Sequence, residues 1–307
     1  MVDLNIAGVS VFESPELRNP HFVAAFGGWA DAGEVATGSL RYLIARLGAK
    51  RFARLDHEEF YDLSTVRPLV IVEEGEYKGL RYPSNDLFYW KDEASERGLI
   101  CLLGTEPHLR WRKYTDTILD IARHFDVTRI ISLGGLFDAL PHTKTPRISG
   151  TASSRDLRDM LSSLSIQMVD YQGPSSIHSA LSIACSRAGF ESVSLWGHAP
   201  LYVRTPANPK VCHAILSKLC TLIGYDIDLE GIKSAGEYLD SALNRLLAQN
   251  EQLRLYVRRL EEQFEGPSDK TPAPESGEPA EEDTQRIIRD VEEFLRREQR
   301  RRESGDE

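Results

Sequence analysis

Four short segments carry the residue types that could hold an anion. Gly27-Gly28-Trp29-Ala30-Asp31-Ala32-Gly33 joins an apolar run ending at Phe26 to a helical pattern opening near Gly33, and Ser132-Leu133-Gly134-Gly135-Leu136 closes the apolar run near residue 130. Ile148-Ser149-Gly150-Thr151 and Gly173-Pro174-Ser175-Ser176 complete the set. Glycine lets the backbone approach a ligand closely, and the first N–H groups of a helix are unpaired donors that favour negative charge. If all four segments share one sheet edge, then Gly27, Gly28, Trp29, Asp31, Gly33, Gly134, Gly135, Ser175 and Ser176 line a crevice suited to phosphate or carboxylate. A doubly wound fold needs the same residue types merely to turn from strand to helix, and that simpler reading is preferred. Asp31 is likewise better read as a helix cap than as a ligand contact.

Other chemistry has little support. Neither GxxxxGK[ST] nor GxGxxG occurs, so the standard nucleotide cradles are missing. His108, His124, His142, His178, His198 and His213 show no HExxH or other ligand spacing, and His178, early in a helix, reads as packed or on the surface. Glu73-Glu74-Gly75-Glu76 reads as a solvated turn rather than a metal site. No GxSxG elbow ties a serine to a base. Cys212 and Cys220 lie eight apart on one helix, about 12 Å along its axis, too far for a disulfide. With no CxxC pair, Cys101, Cys185, Cys212 and Cys220 are expected to be buried apolar thiols. No metal and no cofactor are expected, and the missing catalytic constellation points away from an enzyme.

The elements that must position these segments alternate. Apolar runs at 21–26, 51–61, 68–72, 86–90, 99–104, 129–134, 147–151 and 192–203 read as strands, with helices over 33–47, 109–125, 154–164, 175–188 and 209–223 between them. This is the pattern of an α/β sheet with helices on both faces. The runs at 51–61 and 68–72 follow each other without room for a helix, so some pairing is antiparallel and the sheet is mixed. Beyond residue 225 the character changes. Leu239, Leu243, Leu246, Asn250, Leu253, Val257, Leu260 and Phe264 fall on one stripe of a long helix over 226–264, spaced as in a coiled-coil seam in which Asn250 would fix register; the plainer reading packs the stripe within the chain. Residues 265–283, rich in Pro, Glu, Ser and Gly, read as a flexible linker. Ile287, Ile288, Val291, Phe294 and Leu295 then mark a C-terminal amphipathic helix within 284–307 that must dock on something. The α/β core domain is thus placed at 1–225.

With 307 residues, 41% hydrophobic and 27% charged, the chain can bury a full core, and its net charge of -10 argues against nucleic acid or an anionic membrane as principal partner. No apolar run approaches the roughly 20 residues of a membrane helix, and Met1-Val2-Asp3-Leu4 does not open a signal peptide, so a cytoplasmic location is expected.

The glycine segment 26–33, Ser132-Leu133-Gly134-Gly135, Gly173-Pro174-Ser175-Ser176, Ser194-Leu195-Trp196 through Pro200, Tyr202 and Val203, and Pro206-Ala207-Asn208-Pro209-Lys210 together resemble the proteasome assembly chaperone 2 family, in its long bacterial branch, over about residues 20–225. The resemblance implies a three-layer αβα sandwich similar to nucleoside phosphorylases, in a family with members that help assemble proteasome α-subunits. Two departures stand out. The chain ends Gly305-Asp306-Glu307 rather than in a hydrophobic-Tyr-any tail, and Leu201 stands where relatives carry histidine before Tyr202-Val203. Some members are also described as ATP-dependent carboxylate-amine ligases, but the nucleotide lysines and magnesium carboxylates such chemistry requires are not found. The expected function is a non-enzymatic, chaperone-like protein-binding factor that self-associates and has a protein partner, for which the resemblance suggests proteasome subunits. The alternative is a small-molecule enzyme or sensor using the glycine-lined crevice.

Overall fold

The computed structural model describes residues 6–92, 97–264 and 282–304. The chain opens with β1 (Val9–Val11) and β2 (His21–Gly27), and a single 3₁₀ turn (Ala32–Glu34) leads into α1 (Val35–Leu47). β3 (Lys50–Leu55), the hairpin strands β4 (Leu69–Glu73) and β5 (Glu76–Arg81), β6 (Asn85–Lys91), β7 (Gly98–Thr105) and α2 (Trp111–His124) follow. Then come β8 (Arg129–Asp138), β9 (Ile148–Ala152), α3 (Arg155–Ser163), β10 (Gln167–Met168), α4 (Ile177–Ala188), β11 (Glu191–Pro200) and α5 (Pro209–Ile223). Three further helices are α6 (Glu230–Gln249), α7 (Glu251–Gln263) and α8 (Glu282–Ser304).

Nine strands form one mixed sheet in the order β1-β3-β6-β7-β2-β8-β11-β9-β10. The four central strands β7, β2, β8 and β11 run parallel, as the helical crossovers between them require. Antiparallel strands flank them on both sides. The period-2 alternation of β2 shows how the layers arise. Val23 and Ala25 join a core with α1, α3 and α5 on one face, whereas Phe22, Ala24 and Phe26 join a core with α2 and α4 on the other. The result is the expected three-layer αβα sandwich.

Three local expectations need correction. β3 stops at Leu55 rather than Tyr61, and it pairs with β1 and β6, not with the next strand. Tyr61 instead lies buried, donating its hydroxyl to the Thr105 carbonyl (2.5 Å) and accepting from Asn85 Nδ2 (2.6 Å). The run at 69–73 pairs with β5 to make a separate hairpin, closed by Glu74-Gly75, both at positive φ (51° and 82°). Two consecutive positive-φ residues suit the right-handed twist of a two-residue hairpin, so the acidic cluster is a turn.

The long helix over 226–264 is two helices. Asn250 leaves the helical region (φ -122°, ψ 104°), and its side chain accepts from Leu253 N (3.0 Å), capping α7. The lone polar member of the stripe therefore breaks the helix; it does not set register in a paired seam. With the turn, Leu239, Leu243, Leu246, Leu253, Val257 and Leu260 fold over Tyr202 and Val203, and Ile287, Ile288 and Val291 of α8 close the same cluster. The stripe packs within the chain. The expected linker lies outside the described residues except for its last two positions, which belong to α8, and Gly305-Asp306-Glu307 also lie outside. Among the described residues no helix is long and apolar enough to cross a membrane.

Val291 is fully buried in this helical cluster. Val291→Asp is expected to undock α8, seen as new proteolytic cleavage within 282–304, while the α/β part keeps its melting transition.

Candidate functional site

The carboxyl edge of the parallel strands is built from the glycine turn outward. The Gly27 carbonyl at the end of β2 accepts from Glu106 N (2.8 Å) just past β7. Gly28 then sits at φ 138°, a conformation that favours glycine, and a Cβ there would lie 3.1 Å from Glu106 Cβ. The chain next meets β8: Gly135 N donates to the Ala30 carbonyl (2.8 Å), and Asp31 forms a one-residue parallel bridge with Gly135. The 3₁₀ turn follows with Gly33 at φ 59° and aims α1 back over the sheet.

Asp31 sits where an external anion would. Its Oδ1 accepts from Ala36 N (2.8 Å) and Thr37 N (3.1 Å), and its Oδ2 from Thr37 Oγ1 (2.5 Å), so a carboxylate of the chain satisfies free donors of α1. Burial raises the Asp31 pKa above the ordinary carboxylate value, although the hydrogen bonds from Thr37 and Ala36 oppose the shift. At α4 the arrangement repeats: Ile177 N donates to Glu106 Oε1 (2.8 Å). Ser176, at the N-cap, makes no side-chain capping bond, and Ser175 Oγ donates to the Ser176 carbonyl (3.2 Å).

The segments around Gly27–Gly33, Gly134–Gly135 and Ser175–Ser176 thus converge on one edge. β9 runs antiparallel to β11, with Ile148 opposite Gly197, and so starts near that edge. At Gly134 and Gly135 the chain packs closely onto its own backbone. A Cβ on Gly134 would stand 2.6 Å from the Trp196 ring, and one on Gly135 2.8 Å from the Ala32 carbonyl oxygen and 2.9 Å from Val35 Cβ. These glycines let side chains and a turn pack onto the backbone. Trp29, by contrast, is 55% exposed.

One constellation escaped sequence reasoning. β8 continues past Gly134 to Asp138, and its parallel register with β11 sets Pro200 beside Asp138. Asp138 Oδ2 lies 2.8 Å from His198 Nδ1, and His198 Nε2 lies 2.8 Å from Ser149 Oγ on β9. Burial pushes the Asp138 pKa up, but the hydrogen bond and charge of His198, the Arg147 guanidinium (3.6 Å) and the Ala139 N–H outweigh it and hold the carboxyl below its ordinary value. The order Asp-His-Ser is that of a nucleophilic relay. Ser149, however, is 2% exposed, lies within a strand and has paired neighbours on both sides, so no acyl group reaches its oxygen. The arrangement ties three strand ends together. Its members stand 60 and 49 positions apart, and no local spacing signals them.

His178 is buried between Phe26 and Trp196 (ring centroids at 5.5 and 5.1 Å), and among the described residues neither ring nitrogen has a hydrogen-bond partner. Burial lowers its pKa to about 4. The four thiols are free; Cys101, Cys185 and Cys212 are buried as expected whereas Cys220 is only partly so, and burial raises the first three to about 12 and Cys220 to about 11, disfavouring the thiolate. Among the described residues no group of three or more His, Cys, Asp or Glu could hold a metal.

A mixed-sheet αβα sandwich with helical additions, whose glycine corners are packed by its own side chains, defines the class. The chain belongs to the PAC2 family, whose model matches residues 25–247. It is similar to a PAC2 family protein from Streptomyces avermitilis, at 33% identity with a TM-score of 0.69, over 74% of this chain and 95% of that one. It is also similar to a proteasome-assembly chaperone homologue from Mycobacterium tuberculosis, at 29% identity with a TM-score of 0.71, over 77% of this chain and 99% of the other. An archaeal proteasome activator from Pyrococcus furiosus shares the fold at 21% identity, with a TM-score of 0.62 over 78% of this chain and 97% of the other. No curated protein matches.

Removing the Asp31 carboxylate by Asp31→Ala leaves the Ala36 and Thr37 amides unsatisfied and is expected to cost about 1–2 kcal/mol in urea unfolding. A second expectation concerns pH. The unfolded chain protonates His178 near its ordinary 6.5, whereas the folded chain resists until about 4, so this contribution to stability is full above 6.5 and is lost as pH falls towards 4. His178→Phe should flatten the fall in melting temperature across that window.

Proposed function

We propose that this chain is a chaperone-like, protein-binding factor of the cytoplasm that acts by docking other proteins, with proteasome subunits as its partners. The observation that carries the reading is the β4–β5 hairpin, in which every residue from Leu69 to Glu73 and from Glu76 to Arg81 is exposed. Leu69, Val70, Ile71 and Val72 run consecutively along β4, so apolar side chains emerge on both faces, and Tyr77 and Leu80 add to them, at 83% and 55% exposure. An isolated two-stranded sheet is at best marginally stable in water, and a contiguous apolar patch of this kind marks an interaction surface. The resemblance to the mycobacterial proteasome-assembly chaperone homologue supplies the class of partner.

A small-molecule reaction at the glycine edge has less support. Asp31 engages the Ala36 and Thr37 amides of α1 and Glu106 the Ile177 amide of α4, which an anion there would otherwise contact, and the Asp138–His198–Ser149 chain is closed to solvent at its hydroxyl end. Self-association through the same hairpin is the competing use of this surface.

Both Tyr77 and Leu80 are on the surface, so Tyr77→Glu combined with Leu80→Glu should change unfolding free energy by only about 0.5 kcal/mol per site. In pull-downs from native lysate the unsubstituted chain is expected to recover proteasome subunits and the double variant to lose them. Failure of the unsubstituted chain to recover any, or equal recovery by both, would overturn the reading. The mass of each in solution shows whether the hairpin also joins copies of the chain.

A further inference from the structure

A cleft of ≈ 470 Å³ lies where α5 and α6 meet the segment between β8 and β9. That volume is in the range of small-molecule sites. Its walls run against the charge of the whole molecule: Lys144, Lys210, Lys218, Lys233 and His213 face it together with two carboxylates, in a chain whose net charge is -10. α5 lines it with Lys210, His213, Ala214, Ser217 and Lys218, and α6 with Lys233, Gly236, Glu237 and Asp240.

The pairing within this set leaves a specific surplus. Lys210 Nζ binds Asp240 Oδ2 (2.6 Å) and donates to the His142 carbonyl, which pins the segment carrying Lys144 over the cleft. Lys233 is paired with Glu230 (3.2 Å). Lys144 and Lys218 make no ion pair among the described residues, and the remaining carboxylate, Glu237, is exposed. Gly236 shapes the floor, since a Cβ there would lie 3.1 Å from Lys210 Cα and hold the two helices apart. Hydroxyls of Thr145 and Ser165 add donors, and Ile148 and Ala214 give an apolar side for a carbon skeleton.

We propose that this cleft binds a small phosphorylated molecule, with Lys144 and Lys218 as the cations that meet its phosphate. Ammonium groups bind phosphate oxygens as compact point charges, and Lys144 and Lys218 bring two of them to the cleft. The site joins α5 of the sandwich to α6 of the helical cluster, so occupancy strengthens that junction. It shares no residue with the hairpin, and its fate is independent of the protein-binding reading.

Titrating the full-length chain with sodium pyrophosphate, followed by thermal shift and ³¹P NMR, tests this directly, with sodium chloride at matched ionic strength as control. The expected result is a saturable rise in melting temperature with a midpoint below about 1 mM. Lys144→Glu combined with Lys218→Glu should raise that midpoint by about tenfold or more while shifting the ligand-free melting temperature by no more than about 2 °C. Should the double variant fail to fold, Lys144→Gln alone is expected to weaken binding about threefold or more. Absence of saturation by about 10 mM pyrophosphate, or an unchanged midpoint in the folded variant, overturns the proposal.

Discussion

A helix that begins against a buried sheet edge must find acceptors for its free N–H groups, because an orphaned buried donor costs on the order of 1–3 kcal/mol. Here the chain supplies them itself. Asp31 reaches the second and third residues of α1, and Glu106 reaches the first residue of α4, which packs on the opposite face of the sheet. Much of the edge follows from these two carboxylates. Gly28 lies against the Glu106 side chain, and the 3₁₀ turn places Asp31 beside Gly135. Three of the amides that would attract an anion to such an edge are thus satisfied internally.

The ten-residue parallel register of β8 and β11 is the second organising element. It lays the Trp196 ring over Gly134, places His178 against that ring, and brings Asp138, two residues past the partner of His198, within reach of that imidazole, where β9 offers Ser149. Fully satisfied polar chains of this kind make one register preferable to its neighbours, since a slip of one residue would leave a buried carboxylate without its partners. A motif known from nucleophilic catalysis serves here as a cross-tie between strands. What distinguishes the two uses is access to the hydroxyl, not the hydrogen-bond distances.

The surface offers an apolar hairpin, an exposed Trp29 and a lysine-lined cleft. The helical cluster contributes by folding on itself. Asn250 turns what would be a single long helix into two, so that the leucine stripe meets Tyr202, Val203 and α8.

Local features were legible in the sequence because they depend on near neighbours. Apolar periodicity located the central strands and all five helices of the sandwich, and the glycine turns marked the strand ends. Asp31 read as a cap because its partners are five and six residues away. The break at Asn250 was missed because a residue that caps a helix also fits a polar seam position, and only packing chooses between them. The hairpin was missed as a unit because apolar β-branched residues predict a strand without naming its partner. Glu106 at Ile177, 71 positions on, the Asp138–His198–Ser149 chain and the basic cleft belong wholly to the tertiary structure. Strand order and register bring those residues together, and such long-range pairings are set by the packing of the whole sheet rather than by any stretch of chain.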